Sequence, residues 1–174
     1  MAGAMKLTNS NYPTYLEKTT RDRIVRAALA IENTTPEGGI LVIFQMRDST
    51  KETLFFHQPQ ATALLDAFRR AQKDGRLPPL KDDEHDMMMK LMPYPTKDDF
   101  NMNNDLSRHP GHVTALVMTN AIVFDFAMLN GSSRRFALPL HVARFLAEYV
   151  EQAMRNSPKQ HRKAGVRPHP RTLH

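Results

Sequence analysis

Two histidines flank a Pro-Gly turn at His109-Pro110-Gly111-His112. Imidazole is a common metal ligand, but zinc sites take three or four protein ligands, and the nearby Asp105 completes no spacing with a known mechanism. The same four residues also read simply as a turn. A second patch, His85 followed by Asp86-Met87-Met88-Met89-Lys90-Leu91-Met92, offers thioethers and imidazole suited to cuprous copper. Three consecutive methionines point to three sides of a helix and cannot converge on one ion, so flexible apolar packing or a malleable contact surface is the expected use. Asp82, Asp83, Glu84, Asp86, Asp98 and Asp99 crowd one polar stretch and read as a solvated acidic loop. No nucleophile elbow, zincin helix, dinucleotide fingerprint or phosphate loop occurs. The chain has no cysteine, which excludes disulfides, thiolate metal sites and cysteine nucleophiles. No catalytic residue, metal site or cofactor is therefore expected.

Charge is the more informative chemistry. The net charge is +6, from 24 Lys/Arg and 18 Asp/Glu over 174 residues. Residues 1–154 balance, with 18 of each sign, so the whole excess lies in Arg155, Lys159, Arg162, Lys163, Arg167 and Arg171. A neutral body with a basic arm attracts polyanions by long-range steering and counterion release. His161, His169 and His174 would add charge to that arm in acid. Strand alternation puts Arg47, with Phe55 and His57 on the neighbouring strand, on the expected open sheet face, and Arg134 and Arg135 follow a turn in the second unit. Aromatic rings for stacking and arginines for phosphates are one way to hold single-stranded nucleic acid. Phe55 packing against the other half of the molecule is the competing reading.

Those side chains must be positioned by regular elements. Residues 1–20 are an irregular lead-in. Arg23 to Ile31 fits a helical stripe and a strand alternation equally well. Thr34-Thr35-Pro36-Glu37-Gly38-Gly39 is a turn, and Ile40 to Arg47 and Thr53 to His57 are strands. Gln58 to Lys73 is an amphipathic helix burying Ala61, Leu64, Leu65 and Phe68, with Pro59 tolerated in its first turn. Val113 to Thr119, Ala121 to Leu129 and Arg134 to Leu138 are strands, and His141 to Arg155 a helix. Between these sets lies a Met-, Asp- and Pro-rich linker, residues 75–111. Asp82 to Met92 forms a short helix in it, and 94–108 lack any apolar period.

Shifting residues 40–73 by 82 lays them on 122–155 without a gap, with Ile40, Phe44, Met46, Ala61, Leu64 and Ala71 meeting identical residues. The repeat places Val25 to Ile31 opposite Val113 to Thr119 and so favours strand there. The expected fold class is α+β: an internal duplication of a β-β-β-α unit (21–74 and 112–155), an antiparallel sheet, helices packed on one face, and a flexible basic tail at 156–174. In element order alone this plan resembles the Whirly and PUR-repeat single-stranded nucleic-acid binders, which carry four strands per unit where this chain shows three.

No apolar run is long enough to span a membrane, and Met1 to Lys6 lacks the apolar core of a secretory signal, so a cytoplasmic location is expected. The expected function is a small non-enzymatic nucleic-acid-binding or regulatory protein. Its surface would be the sheet residues Arg47, Phe55, His57, Arg134 and Arg135, and its arm Lys159, Arg162, Lys163, Arg167 and Arg171. The alternative is a protein–protein adaptor or inhibitor, of the kind mobile elements encode, that uses the open sheet face and the Met-rich linker. A second copy covering that face would make a homodimer.

Overall fold

The computed structural model describes residues 23–33, 38–101 and 104–156. Strands β1 (Arg23–Glu32), β2 (Ile40–Met46) and β3 (Lys51–Phe56) lead into helix α1 (Gln58–Lys73). Helices α2 (Asp82–Leu91) and α3 (Lys97–Asn101) and a 3-10 turn (Leu106–Arg108) follow. Strands β4 (Pro110–Val117), β5 (Ala121–Met128) and β6 (Ser133–Pro139) then lead into α4 (Leu140–Asn156). The fold is α+β, with one six-stranded sheet ordered β3-β2-β1-β6-β5-β4.

That sheet is mixed, not antiparallel as expected. Each set of three strands is an antiparallel meander. The two meanders join through β1 and β6, which run parallel at Arg23–Phe136 and Ile24–Ala137. The first and third strands of a meander share a direction. Setting β1 of one meander beside β6 of the other, both in the same orientation, therefore makes a parallel pair.

The dual periodicity of β1 has a local cause. A bulge between Val25 and Ala27 inserts one residue against β2. Val25 faces Met46, Ala28 faces Phe44 and Ala30 faces Val42, so the positions set across from the core-facing residues of β2 run 25, 28, 30, and Ala27 and Leu29 between them are buried as well. The first step of three imitates a helical stripe within a strand. On β2, Ile40, Val42, Phe44 and Met46 are buried, but so are Leu41 and Ile43 on the opposite face. A strand buried on both sides reads as a continuous apolar run, which is what these residues show.

Gly39, just before β2, has φ +84°, and a Cβ there would lie 2.1 Å from the Phe56 carbonyl oxygen. Both the left-handed backbone and the close approach demand glycine. Gly39→Ala is expected to cost about 1–3 kcal/mol, from strain plus backbone displacement. Urea unfolding checks this, and a variant with the wild-type midpoint would show that the turn relaxes freely.

The main core cluster draws on β1, β2, β3, β5, β6, α1, α2 and α4, with Val113, Ala115 and Val117 of β4 packed against it. Phe44 touches Phe136 and Phe126 at 5.0 and 6.3 Å between ring centroids, and Phe68 of α1 meets Phe124 at 5.4 Å. Helix α4 lies mainly on β1, while α1 lies on β4 and α4. Of the methionine run on α2, Met88 is fully buried while Met87 and Met89 are exposed. Neighbouring helix positions point different ways, so the run does not gather its sulfurs.

The linker is anchored by polar groups, which is why it shows no apolar period. Asp99 is buried against β3, accepting from Thr53 Oγ1 at 2.7 Å, Thr96 N at 2.7 Å and Lys51 Nζ at 3.1 Å. Burial pushes its pKa up, but the bonds from Thr53, Thr96 and Lys51 outweigh that and hold it below the ordinary value.

Candidate binding surface and the seam between β3 and β4

The sequence grouped Arg47, Phe55, His57, Arg134 and Arg135 on one open face. The structure separates them. Phe55 is only 2% exposed and clusters with Leu41 and Ile43. Its ring stacks on His109, with centroids 5.3 Å apart and planes 18° apart. It is not presented for base stacking. The chain returns over this side of β3, where Arg108 Nη1 donates to the Thr53 carbonyl at 3.3 Å and Asp99 holds the Thr53 hydroxyl. Strand alternation assigned Phe55 its face correctly but carried no information about what covers that face.

His57 occupies the N-cap position of α1, and its Nε2 lies 3.0 Å from Nδ1 of His109. Nearby, Gln60 Nε2 donates to the Gly111 carbonyl at 3.2 Å. Together with the Arg108–Thr53 bond, this closes the end of β3 and the start of α1 against the start of β4. Side-chain donors thus occupy carbonyls on both outer strands, one device that keeps sheet edges from recruiting other strands.

Arg134 is committed inward. Its guanidinium pairs with Glu52 Oε1 and donates to the Ser107 carbonyl at 3.0 Å. Arg23 donates to Glu52 Oε2 at 2.6 Å. One carboxylate therefore ties β1, β3 and β6 together. Glu52 was not singled out in the sequence, where it looks like any strand-edge acid. Its side chain is 18% exposed, against 34% and 22% for its two partners. Glu52→Gln keeps the shape and removes the charge. It is expected to cost about 1–2 kcal/mol, below the 3–5 of a fully buried pair because solvent reaches all three groups. Denaturation at low and high salt checks this, and no change in either condition would remove the triad from the stability account.

Arg135 is exposed and reaches across the sheet to Asp125, Nε to Oδ1 at 2.8 Å. This cross-strand pair explains the acid within β5 without catalysis, since the two residues face each other in register. Arg47 is exposed on the loop after β2, its backbone N–H donating to the Ile24 carbonyl at 2.8 Å. Lys159, Arg162, Lys163, Arg167 and Arg171 lie outside the described residues.

Among the described residues, two surfaces are accessible near these side chains or the end of α4. The outward face of β4–β6 exposes His112, Thr114, Leu116, Ala127, Ser133 and Arg135. Between α1 and α4 lies a groove of about 300 Å³, lined by Gln58, Leu65, Arg69, Glu151 and Arg155. There Glu151 Oε2 accepts from Arg69 at 3.5 Å and from Arg155 at 3.3 Å. Among the described residues no group of three His, Asp or Glu stands close enough to hold a metal ion, and no helix is long and apolar enough to cross a membrane. Comparisons with protein-family models, curated proteins and solved structures find no match to this chain.

Proposed function

We propose that this is a non-enzymatic protein that binds nucleic acid non-specifically, chiefly through its C-terminal arm. The observation that carries the reading is the charge partition: 18 cations and 18 acids through residue 154, then six cations and no acid. The geometry moves weight from the sheet to the arm. Arg134 is spent on Glu52 and Arg135 on Asp125, so neither is a ready phosphate partner. In the sequence the basic run follows directly on Arg155, which shares Glu151 with Arg69. Cytoplasmic location is part of this proposal.

The proposal includes an internal duplication with α1 and α4 on the same sheet face. In its support, a shift of 82 residues brings β2, β3 and α1 onto β5, β6 and α4 to within one residue at every boundary. Phe44 and Phe126 both come out fully buried, and both helices contribute to the cluster that contains them.

The competing reading is an adaptor for another protein, and one observation favours it: Leu116 stands 57% exposed on the outward face of β4. Binding of labelled single-stranded and duplex oligonucleotides, titrated at about 50 and 200 mM salt, decides between the two. Nucleic-acid binding predicts affinity at low salt that falls by orders of magnitude at high salt. If no DNA or RNA binds even at low salt, the polyanion reading fails and the adaptor takes its place.

A further inference from the structure

We infer that the two halves of the chain bind each other as the subunits of a dimer do, across a pseudo-two-fold axis, and that the oppositely charged axial pairs Glu52–Arg134 and Arg69–Glu151 specify that unlike halves meet. The axis rests on the internal duplication proposed above, and not on nucleic-acid binding.

Backbone details recur along with the elements. The β2–β3 hairpin is closed by Met46 N–H donating to the Thr50 carbonyl and Ser49 N–H to the Met46 carbonyl. The β5–β6 hairpin has the same two bonds 82 residues on, from Met128 to Ser132 and from Gly131 to Met128. In both, a short polar side chain, Asp48 or Asn130, accepts from the N–H and the hydroxyl two residues later. Ser49 and Gly131 both take a positive φ, +75° and +92°. The bulge of β1 has a counterpart too. Val25 and Ala27 face Met46 and Gln45, while Pro110 and His112 face Met128 and Ala127. Strand β1 thus falls on β4 at a shift of 85, where apolar alternation alone set Val25 against Val113. At that shift Arg23 and Ile24, paired with Phe136 and Ala137 of β6, correspond to Arg108 and His109, which touch Thr53 and Phe55 of β3. The seam between β3 and β4 is therefore the counterpart of the parallel junction, made by side chains in place of a ladder.

Three contacts locate the axis. Phe44 meets Phe126 with ring centroids 6.3 Å apart, Glu52 pairs with Arg134, and Arg69 donates to Glu151 at 3.5 Å. Each joins two residues 82 apart, which the duplication makes equivalent. Equivalent groups related by a rotation touch only beside its axis, whereas a translation would hold all equivalents the same distance apart. Strands β2 and β5 are separated by two others, yet Phe44 and Phe126 meet, so the sheet curls around the axis. Helix α4 packs on β1 and α1 on β4, the reciprocity that a two-fold requires.

On such an axis, a half set against its own copy brings each residue onto itself. Glu52 would face Glu52, and Arg69 would face Arg69. Opposite signs at both positions favour the unlike half and penalise the like one. The flanking cations follow the same symmetry. Arg23 beside Glu52 corresponds to Arg108, and Arg155 beside Glu151 corresponds to Lys73, one turn from Arg69. A carboxylate moved to position 134 or 69 therefore finds a cation placed as Glu52 and Glu151 find theirs.

Charge reversal in the full chain, followed by urea unfolding, tests this. Glu52→Arg and Arg134→Glu each set like charges on the axis and are expected to raise the unfolded-to-folded ratio at least about tenfold. The double variant restores an opposite pair and is expected to recover at least about half of the summed loss on a logarithmic scale. Recovery is partial because Asp105 interacts electrostatically with Arg134. If either single variant does not fold, the exposed set Arg69→Glu, Glu151→Arg and their combination decides, with single losses of about twofold and the same recovery. No loss in the single variants, or no recovery in the double, overturns the axial pairing. Nuclear Overhauser contacts across the two bulges check the duplication separately. Their absence at either bulge removes the duplication and the axis together, while a failed rescue with both bulges present overturns the axial charges alone.

Discussion

Phe44→Ala is expected to lower the unfolding free energy by about 3–5 kcal/mol, the usual cost of truncating a fully buried phenylalanine. Few sites in this chain stake as much on one ring. Phe44 has no solvent exposure and sits between the two halves of the sheet, against Phe126 and Phe136. Phe126 in turn meets Phe56 at 5.4 Å and Phe124 at 5.7 Å. Ala28 stands directly across from Phe44 on β1 and is too small to fill the space left behind. The lost transfer energy is therefore joined by an unfilled cavity. Since domains of this size are stable by only about 5–15 kcal/mol, the loss is a large share of the total. Urea unfolding monitored by far-ultraviolet circular dichroism measures it. A loss under about 1 kcal/mol would mean that the aromatic cluster collapses around the gap and that Phe44 does not bridge the two halves.

Deleting residues 157–174 is expected to flatten the salt dependence of duplex binding while leaving thermal stability nearly unchanged. The deletion removes Lys159, Arg162, Lys163, Arg167 and Arg171, and of non-proline apolar side chains only Ala164, Val166 and Leu173. At roughly 0.9 per neutralised phosphate, the logarithmic slope should become shallower by up to about 4–5 units. Over a fourfold change in salt, that corresponds to a factor of about 10²–10³ in affinity. Parallel titrations of the full and truncated chains give both slopes. An adaptor working through the β4–β6 face would keep its affinity for its protein partner after truncation and lose it on Leu116→Asp. Equal slopes for the two chains would show that the arm contacts no phosphate.

Much of the chain was legible because its signals are local. The helix at 58–73 announced itself through Ala61, Leu64, Leu65 and Phe68, and all four are buried. Strand β2 was clear from its β-branched and aromatic run, and the second helix from Val142, Leu146 and Val150. Boundaries drifted where local chemistry was mixed. Strand β4 starts at Pro110, three residues before the apolar alternation begins, because an irregularity between Pro110 and His112 lets a Pro-Gly pair join a ladder edge. The 3-10 turn and α3 escaped because each is short and held by polar bonds, Asp105 to Ser107 and Asp99 to Thr53, with no apolar stripe to betray it.

By itself the sequence determined the α+β class, the order of six strands and their two long helices, the fully buried Phe44 and Phe126, and the placement of all excess charge after residue 154. Each follows from periodicity or composition within a window of a few residues. Only the tertiary structure decided that β1 and β6 pair in parallel, that Phe55 lies under His109, that Glu52 gathers Arg23 and Arg134, and that His57 meets His109. The physical reason is common to all four. Alternation says which face a side chain takes, whereas its partner there is set by how the chain closes on itself. Those of Glu52 and of His57 with His109 join residues 29, 52 and 82 positions apart, separations over which no local pattern carries information.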